Sequence, residues 1–285
     1  MRGARFRDLV RRHALACFFV LAYALSWADW LPMALAGRRV GTFPGGPTHF
    51  LGLLGPMIAA LLIASITGGP AKLRELAARM IRIPKTSPAV WLAIASPALF
   101  FVAALLVVAL AAKPRPRWEE LGIFGGVPHV GPLGVWFILT VWNGFGEEGG
   151  WRGFALPHLQ QTRSPLGAAL LLGVVWAGWH LPLFFVIDTY RAFGPAILPG
   201  FVLGIVSGSI VLAWLYNRSG GSVLAVALWH GSYNFFSGTL AVRGLVAAVV
   251  SSAVMIWAVV LVVLELRARR HLQPSIIGAS ALAQE

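Results

Sequence analysis

Glu147, Glu148 and Arg152 stand in the stretch Gly144-Phe145-Gly146-Glu147-Glu148-Gly149-Gly150-Trp151-Arg152, between the apolar runs 136–142 and 153–156. A charged group at membrane depth costs several kcal/mol, so it marks a functional site by default. On a helix Glu148 and Arg152 are i,i+4 neighbours and can pair. Glu147 points about 100° away and has no local counter-ion, as suits a general base. The competing reading is a structural ion pair with a spare glutamate near the headgroups. Two more polar clusters bear on the choice. His180 follows Trp176 by one turn in Val174 to Pro182, and His230 and Asn234 share a helical face in Ala227 to Asn234. One histidine in a membrane helix is usually a packing residue. Two of them, with an amide and an acidic pair, are the best available partners for one another. Glutamate and histidine can together hold and deprotonate a water. A second histidine and an amide can donate to a developing oxyanion. That inventory fits hydrolysis of an acyl bond, a peptide above all. No serine or cysteine sits in a nucleophile setting, and Ser232 reads as packing or hydrogen-bonding filler.

The elements that must carry these groups are membrane helices. The 285 residues are 58% hydrophobic and 12% charged, with mean hydropathy +0.77, which excludes an ordinary soluble domain. A formal charge of +13 could suggest nucleic acid. However, the basic residues lie in short segments between apolar runs and form no recognition module, so no nucleic-acid partner is expected. The single cysteine, Cys17, permits no intramolecular disulfide and no thiolate metal site. The expected fold is an all-α polytopic bundle of about eight transmembrane helices, forming one integral membrane domain.

The expected segments run Ala14–Leu35, Phe50–Ile66, Val90–Ala112, Leu133–Leu156, Pro165–Ile187, Ile197–Tyr216, Ser222–Leu240 and Leu245–Leu266. The first is expected to be a retained helix rather than a cleaved signal peptide, because Asp29, Trp30 and Pro32 do not suit a cleavage region. Trp27 and Trp30 suit an interfacial belt. Ala71 to Lys85 reads as a basic amphipathic helix on the membrane surface or a solvated loop helix. Glu119-Glu120, next to prolines, reads as solvated. Pro157 is expected to stop the fourth segment. His158, just beyond it, is expected to face solvent or cap rather than to ligate. Gly200, Gly204 and Gly208 form a stripe that favours close helix packing. The seventh segment is the weakest and could be re-entrant. A tail over 271–285 is expected to be disordered. Of the 23 Lys and Arg, all but Arg38, Arg39, Lys113, Arg115, Arg117, Arg191 and Arg243 fall on the side of the N-terminus. That bias puts both termini in the cytoplasm of a multi-pass cell-membrane protein. On straight spans Glu147 and His180 differ in depth by roughly 9 Å at ~1.5 Å per residue, a gap that tilt would close.

Glu147-Glu148-x3-Arg152, Trp176-x3-His180 and His230-x3-Asn234, in that order in successive apolar segments, resemble the three motifs of the CPBP family. These are the CAAX-protease and bacteriocin-processing intramembrane endopeptidases, also called the ABI family, whose pattern is E-E-x3-R, F-x3-H and H-x3-N/D. The first and third motifs match fully, and the second has Trp176 in place of Phe, a swap of one aromatic for another. The resemblance covers about 133–240. It implies a cavity in a helical bundle opening to the cytoplasm. In it Glu147 and His180 would activate water, His230 and Asn234 would form the oxyanion site, and Glu148 and Arg152 would brace the geometry. No cofactor is expected. A zinc ion held by Glu147, His180 and His230 is the minority expectation. The partners implied are membrane lipid and a peptide or protein substrate, lipidated or not. Two other functions compete: a non-catalytic membrane protein that binds a membrane-active peptide or confers resistance to it, and a proton-coupled transporter using the buried carboxylates. The absence of an internal repeat weighs against the transporter.

Overall fold

The computed structural model describes residues 2–40, 48–84, 87–194 and 198–278. Among them the chain is a helical bundle without strands. Short α1 (Arg2–Arg12) leads into α2 (Ala14–Leu35), and α3 (Phe50–Leu53) into α4 (Gly55–Ile81). After α5 (Pro88–Leu110), residues 131–160 form α6 (Gly131–Leu139), α7 (Gly146–Gly150) and α8 (Leu156–Gln160), joined by π turns at Thr140–Phe145 and Trp151–Ala155. Then come α9 (Pro165–Trp179), α10 (Leu183–Val186), α11 (Asp188–Phe193), α12 (Leu198–Arg218), α13 (Val223–Gly238) and α14 (Leu245–Arg270).

Every segment expected to be a span is helical, but they are not alike. Six are long and apolar enough to cross a membrane by length and composition. The remaining two are 131–160, broken by its π turns, and α13, only 16 residues long. These two carry the acidic pair and the His-x3-Asn pair. The bundle is polytopic, with six such helices among the described residues rather than a demonstrated eight.

The packing places α2 along α4, α9 along α12, α13 against the first π turn, and α14 on α5 and α12. Leu92, Val102, Leu106, Ile256 and Val259 on α5 and α14 are exposed, as a lipid-facing surface requires. The core holds large aromatics instead: Trp30, Trp151, Trp179 and Trp229 are fully buried, and Arg152 is buried among them.

Polar groups on α2 are structural clamps. Ser26 Oγ donates to Gly52 O at 2.7 Å, Asp29 Oδ2 accepts from Gly52 N at 2.9 Å, and Trp30 Nε1 donates to His49 O at 2.9 Å. Trp30 is therefore core, not an interfacial belt residue. Trp27 is half-buried and donates to Trp179 O at 3.0 Å.

Within the range of α4, residues 70–81 are a helix of their own, as expected, set off by non-helical backbone at Gly69, where φ is 61° and ψ is −146°; the helix is largely exposed, with Leu76 buried. Arg79 donates to Gly153 O of the second π turn at 2.8 Å, and Arg82, just past the helix, to Gly220 O at 2.5 Å. Lys85 lies outside the described residues. Several other expectations change. Pro157 does not stop its helix. A proline cannot bond the carbonyl four residues back, and that carbonyl, Gly153 O, is the one Arg79 takes. After α14 residues 271–274 are exposed, while 275–278 pack back on the bundle. Buried Glu265 accepts from Ser275 Oγ, Ile276 N and Ile277 N at 2.8 to 3.1 Å, and Asn217 donates to Ile277 O at 2.8 Å. Residues 279–285 lie outside the described residues.

The Gly200-Gly204-Gly208 stripe makes no close approach. A Cβ added at Gly200 would meet nothing within 4 Å, and one at Gly208 would only touch Trp176 at 3.9 Å. The tight contacts are at the helices that carry the polar pairs. A Cβ at Gly144 would lie 2.5 Å from Ala227 O, and one at Gly231 would lie 2.5 Å from Thr140 Cα. These two glycines let α13 and the first π turn meet backbone to backbone. Gly231→Ala is expected to destabilise the bundle by about 1–3 kcal/mol, whereas Gly200→Ala should be neutral or slightly stabilising. Thermal unfolding of both variants in detergent checks this, and equal melting temperatures would count against the packing described.

Candidate active site

The two π turns bracket α7, so the helix is rebuilt on both sides of Glu147 and Glu148. A π turn holds one extra residue and re-aims the side chains around it, and such turns recur at functional sites. With Gly146, Gly149 and Gly150 in one short stretch, local propensity is poor at ~1 kcal/mol per glycine. The stretch is held by tertiary packing: a Cβ at Gly150 would lie 2.4 Å from Pro56 O.

Glu148 is fully buried and ionically paired. Its Oε1 accepts from Arg152 Nη1 at 3.0 Å and from His230 Nδ1 at 2.8 Å. Glu147, 1% exposed, is held differently. Its Oε2 accepts from the Trp176 indole at 2.8 Å and its Oε1 from Asn143 Nδ2 at 3.4 Å. Both donors are neutral, and among the described residues Glu147 has no salt-bridge partner. The i,i+4 pairing of Glu148 with Arg152 therefore forms as the spacing predicts, and Glu147 is the carboxylate left over.

His180 sits where α9 ends. His180 N bonds Ala177 O at 3.2 Å, so the helix tightens. The carbonyl of Trp176 is then free for the His180 side chain, whose Nδ1 lies 2.7 Å from it. A carbonyl only accepts, so Nδ1 carries the proton and Nε2 presents a lone pair. His230 Nδ1 likewise faces a carboxylate oxygen, so its Nε2 becomes a donor only in the imidazolium, whose charge Glu148 balances. Asn234, half-buried one turn after His230, has no hydrogen bond to its side chain among the described residues.

The expected residues are thus brought together unequally. Glu147, Glu148, Arg152 and His230 form one contiguous cluster around Trp176. His180 is tied to it through the Trp176 backbone carbonyl, and the Asn234 side chain has no hydrogen bond to it among the described residues. Ser232 accepts from Trp136 Nε1 at 2.9 Å, in keeping with a hydrogen-bonding filler. His158 Nδ1 meets Phe154 O at 2.7 Å, a local helix bond.

Four residues were not anticipated in these positions. Asn143 precedes Glu147 by one turn, the same spacing that reveals Glu148 and Arg152, so helical periodicity could have found it. Trp176 was visible only as an aromatic. His49 is buried, its Nδ1 has no partner, and it lies within electrostatic range of His180. Tyr190 on α11 lies within electrostatic range of Glu147, its ring packed on Phe184 and Phe201. Both belong to loop-like sequence with no motif around them.

A profile described as type II CAAX prenyl endopeptidase Rce1-like matches residues 129–236, a span that contains all three motifs. A curated protein of Methanococcus maripaludis named CAAX prenyl protease 2 is 27% identical over 238 residues, covering 79% of this chain and 84% of its own length. Over residues 129–236 the chain is similar to the type II CAAX prenyl endopeptidases, in keeping with the CPBP resemblance of its motifs. The CPBP pattern falls on the clustered residues: its E-E-x3-R on the Glu148–Arg152 pair and Glu147, its aromatic on Trp176, and its two histidines on His180 and His230.

Among the described residues no group of three His, Cys, Asp or Glu is close enough to hold an ion. Both Glu147 oxygens accept from N–H donors, and each histidine uses Nδ1 and keeps Nε2. No step below runs through an ion. A cleft of about 530 Å³ lined by Lys113, Arg115, Arg117, Arg243 and Leu245 contains none of the motif residues.

Proposed function

We propose that this protein is an intramembrane endopeptidase that hydrolyses a peptide bond of a membrane-associated or lipidated substrate with water activated by Glu147 and His180. Its similarity to CAAX prenyl endopeptidases supports protease activity in a membrane. One observation carries the mechanism: Glu148 takes Arg152 and the His230 ring, leaving Glu147 with neutral donors only and so free to accept a proton.

Glu147 and the Nε2 lone pair of His180 hold a water by its two hydrogens. The water oxygen attacks the scissile carbonyl carbon as Glu147 takes one proton. The tetrahedral oxyanion is met by the Asn234 amide and by Nε2–H of the His230 imidazolium, preorganised donors in a site without bulk water. Collapse breaks the C–N bond, and the leaving amine takes the proton from Glu147. Glu148 and Arg152 fix His230 and the helix between the π turns. The unpartnered Oε2 of Glu148, Oδ1 of Asn143 and Nε and Nη2 of Arg152 give the buried site spare capacity for ordered water. The reading has both termini in the cytoplasm of a cell membrane, by the Lys and Arg bias, with no nucleic acid and no metal involved.

Detergent-purified protein incubated with quenched-fluorescence peptides, with and without a lipidated C-terminal cysteine, tests this. The expected result is cleavage that persists with a chelator present. Cleavage lost on chelation and restored by zinc would replace the glutamate mechanism with a metal one. No cleavage of any peptide, with resistance to a membrane-active peptide conferred on cells by a Glu147→Ala variant, would favour the non-catalytic binder.

A further inference from the structure

The second motif departs from the family pattern at one residue, and that residue touches more of the site than any other. The Trp176 indole donates to Glu147 Oε2 at 2.8 Å. Arg152 lies over its ring at 4.5 Å, and the His230 ring meets it edge-on at 5.4 Å. Its backbone carbonyl holds His180. Trp176 is 4% exposed.

We propose that Trp176 is a positioning residue that aims the general base through its indole N–H, an inference that rests on Glu147 being that base. The other restraint on Glu147 is the long Asn143 contact of 3.4 Å, near the limit of a hydrogen bond. Without the indole N–H, one carboxylate oxygen loses the only donor it has among the described residues, and the group can rotate away from the water. The phenylalanine of the family pattern has no N–H to give, so in this chain the tryptophan performs a task that the usual residue cannot. The contact to His180 runs through the backbone and survives any side-chain change, so the effect of the N–H can be isolated.

Two replacements test it. Trp176→Phe removes the donor and some volume. Substitution of position 176 by 3-benzothienylalanine, by amber suppression in the full chain, replaces N–H with sulfur and keeps the ring size, so it still folds if the phenylalanine variant does not. The expected result for both is a kcat lower by about 10- to 100-fold, the usual scale for one hydrogen bond to a charged group in a site. KM and the melting temperature should stay near wild type in the benzothienyl protein. A residue that only fills space would instead leave kcat untouched there. Unchanged kcat in the benzothienyl protein, with wild type active, overturns the positioning role and leaves the glutamate mechanism standing. Wild-type activity that survives Glu147→Gln overturns the base assignment itself, and the positioning role with it.

Discussion

Glu147→Gln is expected to lower kcat by at least about 10³-fold while the protein still inserts, folds and melts at or above the wild-type temperature. The exchange is nearly isosteric. The amide oxygen can still accept from Trp176 Nε1, which now sits 2.8 Å from the carboxylate. What is lost is the ability to take a proton from water, and general-base catalysis contributes about 10²–10⁴-fold. Stability should move the other way. Glu147 is 1% exposed with neutral donors only, and burying an unpaired carboxylate is costly. Removing its charge relieves that cost. A dead protein of equal or higher stability is the signature of a site that stores destabilisation for function. Activity is measured with the best peptide from the quenched-fluorescence set, and stability by thermal unfolding in the same detergent. Retained activity would sink the assignment. A sharp drop in melting temperature would show instead that Glu147 is a structural partner.

Much of this was legible because membrane-embedded polar residues have few explanations. Glu148 and Arg152 announce their pairing by spacing alone, and helical periodicity leaves Glu147 outside that pair. The order of the three motifs carries the CPBP resemblance without any coordinates. What stayed hidden was backbone irregularity and donor chemistry. Nothing in the composition of 140–160 predicts π turns, because they arise where α4 and α13 pack against a glycine-rich helix. Pro157 reads as a stop, since its missing bond is only harmless once Arg79 reaches Gly153 O from another helix. The end of α9 at Trp179 was equally hidden, since the apolar run continues to Ile187 without a break in composition. Trp176 was classed by its ring, and its N–H matters only beside a carboxylate 29 positions away in the chain. The glycine stripe of α12 misled for the opposite reason. Small residues permit close packing but do not require it, and the close contact between α9 and α12 is instead at Gly173, whose Cβ would meet Val206 and Ser209 at 3.0 Å.

Arg152→Ala should be the most destabilising change at the site, by about 3–5 kcal/mol, the cost of breaking a buried pair by removing one partner. Arg152 and Glu148 are both fully buried, and their 3.0 Å contact is far from solvent. Loss of the guanidinium leaves Glu148 with His230 alone. It also removes the cation from the Trp176 ring face and opens a cavity among the largest buried side chains of the bundle. Two of these losses are electrostatic and one is volume, so a second variant separates them. Arg152→Met with Glu148→Gln removes both charges and restores most of the volume. Replacing a buried pair by neutral groups of similar size is often tolerated, so the double variant is expected to melt well above Arg152→Ala. It should nevertheless be inactive, because His230 has lost the carboxylate that balances its imidazolium. Thermal unfolding of the single and double variants, with peptide cleavage run in parallel, distinguishes the cases. If the double variant melts no higher than Arg152→Ala, the buried charges are not the source of the instability. If it melts higher and still cleaves peptide at the wild-type rate, the ion pair supports the bundle and not the chemistry.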